Sequence, residues 1–444
     1  MYLSVMGLNI PESLLHYIWQ FKLFDESRLA FSDGTAVKIV SPGMHHFDAG
    51  PDFRNARLKT ADALWIGNVE IHLRASDWLR HHHERDEAYD NIIAHVVLQN
   101  DIELRNRMGI LIPCIELKHI IPLELIERYQ ALMSGMFSIP CSGIGRADVL
   151  TLNNWLDRLI VERLESRSDQ VRKLLTICNY DWQETLHVFI FRAMGMQLNQ
   201  LPFEMLARKV TYNLMRKYSE STFRLEALLL GCAGFLNEEA RDDYSENLKL
   251  EFDFLRKKHK LLVLEPSLWK FLRMRPMNFP TIRLAQLAAI YSSRPINPSE
   301  LSKSNRVQDL AEQFSCKTTS YWDTHYRPGE LSALRPKKPG RQVLDTMLIN
   351  AIIPFMFEYA RHRGDSVLRE RCLEWLYDLK PEKNSIIKEW LRPGIQPDSA
   401  AASQALLHLK RNYCDERRCL DCAVGHKLLK DTLKTSSGDK ERSF

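Results

Sequence analysis

The sequence predicts an α+β protein, with a mixed α/β region over residues 1–120 and a mostly helical region over 121–431. Three observations carry this. Short β-branched runs separated by turn signals crowd the first hundred residues. From about residue 150 the apolar residues recur at helical spacing. The last of the helical region holds three closely spaced cysteines, Cys414, Cys419 and Cys422. At 444 residues the chain is long for one core, so two domains are expected.

Taken in order, PESLLHYIWQF (11–21) places Leu14, Leu15, Ile18 and Trp19 on one helical face. Strands follow at 35–40, 52–60, 63–73 and 91–99, broken by SPG at 41–43 and by Thr60–Asp62. The run NIIAHVVL is nearly all apolar and reads as a central strand covered on both faces. Between the last two strands, SDWLRHHHERDEAYD reads as a helix or helical turn with Ser76 as N-cap. The order is helix, three strands, helix, strand.

Beyond residue 121, LNNWLDRLIVERLESRSDQVRKLL (152–175) puts Leu152, Trp155, Leu156, Leu159, Ile160 and Leu164 on one stripe. Further helices are expected at 182–195, 202–218, 222–236, 245–262, 282–292, 343–360, 366–379 and 399–412. The basic segment 327–341 reads as a mobile surface loop, and 432–444 as a disordered tail.

A net charge of +5 is compatible with a nucleic-acid partner and weak evidence for one. Basic residues gather in LRKKHK (255–260), FLRMR (271–275) and LRPKKPGR (334–341), a pattern that solvated helix ends also produce. The first residues lack a basic and then apolar leader, and AIIPFMF (351–357) is too short to span a bilayer, so a cytoplasmic protein is expected. Nine cysteines then argue for thiols or metal ligands over disulfides.

The chemistry concentrates in GNVEIHLRASDW (67–78). Glu70 and His72 share one side of a strand, with Val69, Ile71 and Leu73 on the other. An exposed edge strand gives the same alternation without any chemistry. Upstream stands Gly-Pro-Asp-Phe (50–53). The element order, with Pro51-Asp52 at the second strand and Glu70-Ile71-His72 on the third, resembles the PD-(D/E)XK, or restriction-endonuclease-like, nucleases over residues 10–100. That resemblance implies a Mg²⁺-dependent nuclease acting on DNA, with a role in DNA processing or repair. Asp52, Glu70 and the Ile71 carbonyl would be the metal ligands, with Mn²⁺ as the alternative ion. His72 occupies the family's lysine position, where it would orient water or act as base, and Glu12 would complete the site from the first helix. The rivals are a non-catalytic nucleic-acid-binding or interaction protein that keeps the fold, and a histidine/carboxylate metal hydrolase of a small molecule. Over its full length, from the first helix to the C-terminal cysteines, the text GPDF…WIGNVEIHLRASDW…HHH…YDN…HVV also resembles an uncharacterised bacterial family, a domain of unknown function.

Seven of the fifteen histidines lie between 45 and 95, which keeps a Zn²⁺, Mn²⁺ or Fe site open. On a helix His81, His82 and His83 point about 100° apart and do not all serve one metal; a solvated helix end is the simpler reading. His95 reads either as a hydrogen-bonded core residue or as a group reaching the polar face of the neighbouring strand. At the C-terminus Cys419 and Cys422 form the two-residue spacing of zinc and iron–sulfur ligands, with Cys414 close by. His426 or the distant Cys141 would supply the fourth ligand, and Cys372 on an apolar helical face is a third choice.

Overall fold

The computed structural model describes residues 2–5, 8–46, 49–134, 139, 141, 149–237, 239 and 241–430. The expected tail, 432–444, lies outside the described residues. The chain divides into two compact units, Met1–Leu152 with Lys410–Phe444, and Asn153–Leu409. The boundary thus falls about thirty residues beyond position 120. The cysteine-bearing end, expected to close the helical region, belongs instead to the first unit, where the helix Ala423–Lys430 packs against α3 (Leu123–Ser134).

In the first unit, β1 (Tyr2–Val5) and β2 (Leu8–Pro11) form an antiparallel pair that leads into α1 (Glu12–Gln20). α1 buries Leu14, Leu15, Tyr17, Ile18 and Trp19 and packs on the sheet at β6. The main sheet contains β3 (Lys38–Ser41), β5 (Phe53–Lys59), β6 (Leu64–Arg74), β7 (Ile92–Gln99) and β8 (Cys114–Glu116) in that order, and β4 (Met44–His45) pairs with β5. β3, β5 and β6 run antiparallel, whereas β6, β7 and β8 are parallel. The parallel crossover from β6 to β7 contains α2 (Asp77–Arg80) and two short 3₁₀ turns. Gly67 lets β7 approach, because a Cβ there would lie 2.4 Å from Ile93 Cγ2.

The expected order of helix, three strands, helix and strand is present, with β1, β2, β4 and β8 added. β6 is central, flanked by β5 and β7, so its residues 69–73 are buried on both faces. The edge-strand reading of Glu70 and His72 therefore does not apply.

Among its described residues the second unit is helical apart from one short hairpin, His325–Leu331. Along the helix Val149–Ile177 the buried positions include Trp155, Leu159, Ile160 and Leu164, as the stripe predicts. Asp242 caps the helix Asp243–His259 reciprocally with Ser245. Segment 327–341 is anchored at Lys337. Lys337 is buried, its Nζ donates to the carbonyls of Asp323 and Arg335, and it lies over the Tyr326 ring. Among the described residues one helical stretch, Arg341–Arg363, is long and apolar enough to cross a membrane, and most of it is buried inside the structure as a core helix would be. A widened turn at Leu348–Ile352 precedes Pro354, which lacks an N–H to donate.

Candidate metal centre

Glu70 and His72 sit on β6 with exposures of 4% and 1%. The parallel register sets Glu70 beside His95 and His72 beside Val97, so the two histidines and the glutamate share one face of the sheet. Beside them a small core of Ala75, Trp78, Tyr89, Val97, Leu104 and Ile112 keeps that face dry.

Asp52 precedes β5 and meets β6. Its backbone N–H donates to Glu70 Oε2 at 3.1 Å, and its own Oδ2 accepts the Ile71 N–H at 2.9 Å. Ile71 thus joins the cluster through its amide, while its side chain lies in the core. Asp52 Oδ2 also lies 3.3 Å from His16 Nε2 on α1. Sequence reasoning missed His16, yet the signal existed: it stands four residues after Glu12, on the same helical face. Burial works to lower the His16 pKa, but the Asp52 carboxylate 3.3 Å away, together with Glu12 and Glu70, outweighs it and raises it overall. Burial raises Glu12.

The histidine triplet does not behave as a helix end. α2 stops at Arg80, and His82 takes a left-handed φ of 61°. The chain doubles back there, so His81 and His83 both approach His72, although His81, like His82, is exposed. His72 Nε2 lies 3.0 Å from His81 Nδ1 and 3.6 Å from Glu70 Oε1, and Glu70 Oε1 lies 3.2 Å from His83 Nε2. The donor atoms of His72, His81 and His83 all fall within 4.8 Å of one another. On the far side, His72 Nδ1 contacts His95 Nε2 at 2.8 Å. His83 stacks on Tyr89 with ring centroids 4.0 Å apart.

These separations fit a coordination shell. Ligands about 2.0–2.1 Å from one ion are about 2.9 Å apart in an octahedron and about 3.3 Å in a tetrahedron. His83 Nε2 makes no hydrogen bond despite its 3.2 Å approach to Glu70 Oε1. The protonation states agree. Burial and the neighbouring imidazoles push His72 far below its ordinary range, and burial first lowers His81 and His83. Burial lowers His95 to about 3. Neutral imidazoles keep the lone pairs that a metal takes. Glu70 is raised by burial and then by the charge of Asp52, so a cation beside it would relieve a real cost.

The structure therefore brings Asp52, Glu70, Ile71 and His72 together, and adds His16, His81 and His83. Cys141, Cys414, Cys419 and Cys422 are all buried in the same unit. Cys372 is fully buried on the helix Ser366–Asp378 of the second unit and takes no part. His426 packs between aromatic rings, 4.2 Å from Phe21 and 5.4 Å from Tyr17 by centroid.

A family described as a protein of unknown function (DUF2851) matches residues 12–385, which includes the histidine cluster and stops short of the C-terminal cysteines. No curated protein and no solved structure matches the chain.

Proposed function

The chain belongs to this family of proteins of unknown function, and we propose, on the site alone, that it is a divalent-metal-dependent hydrolase of phosphodiester bonds with DNA as substrate. The observation that carries the reading is the gathering of the His72, His81 and His83 donor atoms within 4.8 Å of one another, with Glu70 Oε1 3.6 Å from His72 Nε2 and 3.2 Å from His83 Nε2. The element order and the placement of Pro51-Asp52 against Glu70-Ile71-His72 support the phosphodiester class. The donor set changes the ion expected from the sequence. Mg²⁺ takes oxygen ligands and keeps its waters, whereas imidazole suits Zn²⁺, Mn²⁺ or Fe²⁺. We therefore assign a transition ion, held by Glu70, His72, His81 and His83.

An ion held by these residues would supply Lewis-acid chemistry, activating water and polarising a phosphoryl oxygen. The protein's own groups do the rest. Asp52 holds the Ile71 amide and keeps His16 oriented. His16 is the proton carrier of the site, because Asp52 stabilises its charged form. His72 thus acts as a ligand and not as the water-orienting group that its lysine-like position suggests.

A second reading, a metal hydrolase of a small molecule, is favoured by the imidazole-rich donor set itself. One screen separates the readings. The purified chain is assayed with Mn²⁺, Fe²⁺, Zn²⁺ and Mg²⁺ against single- and double-stranded DNA and RNA and against a small phosphodiester. Cleavage of DNA that Glu70→Gln abolishes supports the nuclease. Turnover of the small ester alone moves the assignment to the second reading. Metal bound without any cleavage leaves a non-catalytic binding protein.

A further inference from the structure

A cavity of about 370 Å³ lies within the first unit, a volume in the range of small-molecule sites. Hydrogen bonds hold its walls in place. The Ser32 N–H and hydroxyl both donate to the Cys114 carbonyl, at 2.8 and 3.0 Å, and Asn100 Nδ2 donates to Ser32 Oγ at 3.0 Å. The Ile112 N–H donates to the Leu104 carbonyl at 2.9 Å and closes the loop between them. His95 lines the same cavity, and its Nε2 contacts His72, so one buried ring links the cavity wall to the histidine centre.

The lining is sorted by burial. Phe31, Ala75, His95, Leu104 and Ile112 are buried and make an apolar floor with one imidazole in it. Asp33, Asp62 and Glu103 also line the cavity and are exposed, so their charges stand at its mouth. Trp65 is 38% exposed, with its ring centroid 5.9 Å from that of Phe31. The lining contains neither lysine nor arginine. Two buried polar atoms on lining residues, Asn100 Oδ1 and His95 Nδ1, have no hydrogen-bond partner in the protein, and His95 is only 1% exposed. Polar atoms left so are costly unless something else pairs with them.

These features select the charge of the occupant. Three carboxylates in a lining without a basic side chain attract positive charge and repel phosphate, so the cavity does not suit a nucleic-acid backbone. The Thr35 N–H, 2.8 Å from Asp33 Oδ1, favours the ionised form of that carboxyl. Trp65 and Phe31 add ring faces, which draw an ammonium group, and the floor takes an apolar body. Asn100 Oδ1 is an acceptor for an N–H of the ligand. We propose that this cavity binds a small organic ammonium ion, with its charge among Asp33, Asp62, Glu103 and the two rings, and its apolar body on the floor beside His95. The site is separate from the metal-dependent hydrolysis proposed above.

Benzylamine, benzyl alcohol and benzoate share one shape and differ in charge, so the test titrates each into the purified full chain in chelator, read by calorimetry. Saturable binding of one benzylamine per chain is expected, about tenfold tighter than benzyl alcohol, with benzoate the weakest of the three. Asp33→Asn/Asp62→Asn/Glu103→Gln should bring the amine down to the level of the alcohol. Trp65→Leu should weaken the amine by about tenfold. His72→Ala/His83→Ala should leave amine binding within about twofold of wild type, so the outcome does not depend on the hydrolase reading. No saturable amine binding overturns the proposal, and so does benzoate binding as tightly as the amine, or an amine affinity unmoved by the triple substitution. The three carboxylates are exposed, so that variant decides if Trp65→Leu gives no soluble protein.

Discussion

His72 Nδ1 lies 2.8 Å from His95 Nε2, beneath a sheet face that water does not reach. With its Nδ1–H as the donor in that contact, His72 keeps a lone pair on Nε2, the atom facing His81 and Glu70. His95→Leu should therefore weaken metal binding by about 10- to 100-fold, the usual cost of losing such a partner. His95→Gln, which can still accept the proton, should lose less. Competition titration of Zn²⁺ or Mn²⁺ reads the difference, and equal affinities for all three proteins would remove His95 from the centre.

The left-handed turn at His82 makes the three consecutive histidines unequal. His81→Ala and His83→Ala should each lower bound metal by at least tenfold in affinity, whereas His82→Ala should leave it unchanged. A uniform response across the triplet, measured by metal analysis after dialysis, would return it to a solvated helix end.

Glu70 is held in a buried site beside Asp52, at a cost to the metal-free protein. Glu70→Gln keeps the shape and is neutral without taking up a proton, so the metal-free variant should melt a few degrees higher while binding no metal. Thermal melts in chelator, with and without added Mn²⁺, check both halves. A lower melting temperature in chelator would show that the carboxylate serves the fold and not an ion.

Asp52, Glu70 and His72 were legible because strand alternation and the acid spacing survive in any sheet that places β5 beside β6. β4 and β8 were not, since strands of two and three residues carry no period. Ser76 looked like a cap, but its amide and hydroxyl bond Asp101 instead, and the helix it was expected to start lasts four residues. His83 was hidden for the same reason: its approach depends on one backbone angle at His82, which no pattern of residue types encodes. The return of Cys414–Cys422 to the first unit is a long-range contact, and spacing alone left Cys141 and His426 equal.

The second unit carries a pH dependence of its own. Glu226 is completely buried, accepts hydrogen bonds from Tyr244 Oη at 2.7 Å and Thr319 Oγ1 at 3.0 Å, and is raised by burial to about 7. In the unfolded chain the same carboxyl ionises near 4.5. Between those values the folded state holds a proton that the unfolded state has released. Stability therefore falls as pH rises from 4.5 towards 7, by an amount on the order of 3 kcal/mol, and levels off above it. Glu226→Gln is neutral at every pH, keeps an oxygen for Tyr244 and turns its amide towards Thr319. The variant should melt close to wild type at pH 5 and several degrees above it at pH 8. A melting difference that stays constant from pH 5 to 8 would mean that Glu226 is ionised in the fold throughout, its charge carried by Tyr244 and Thr319.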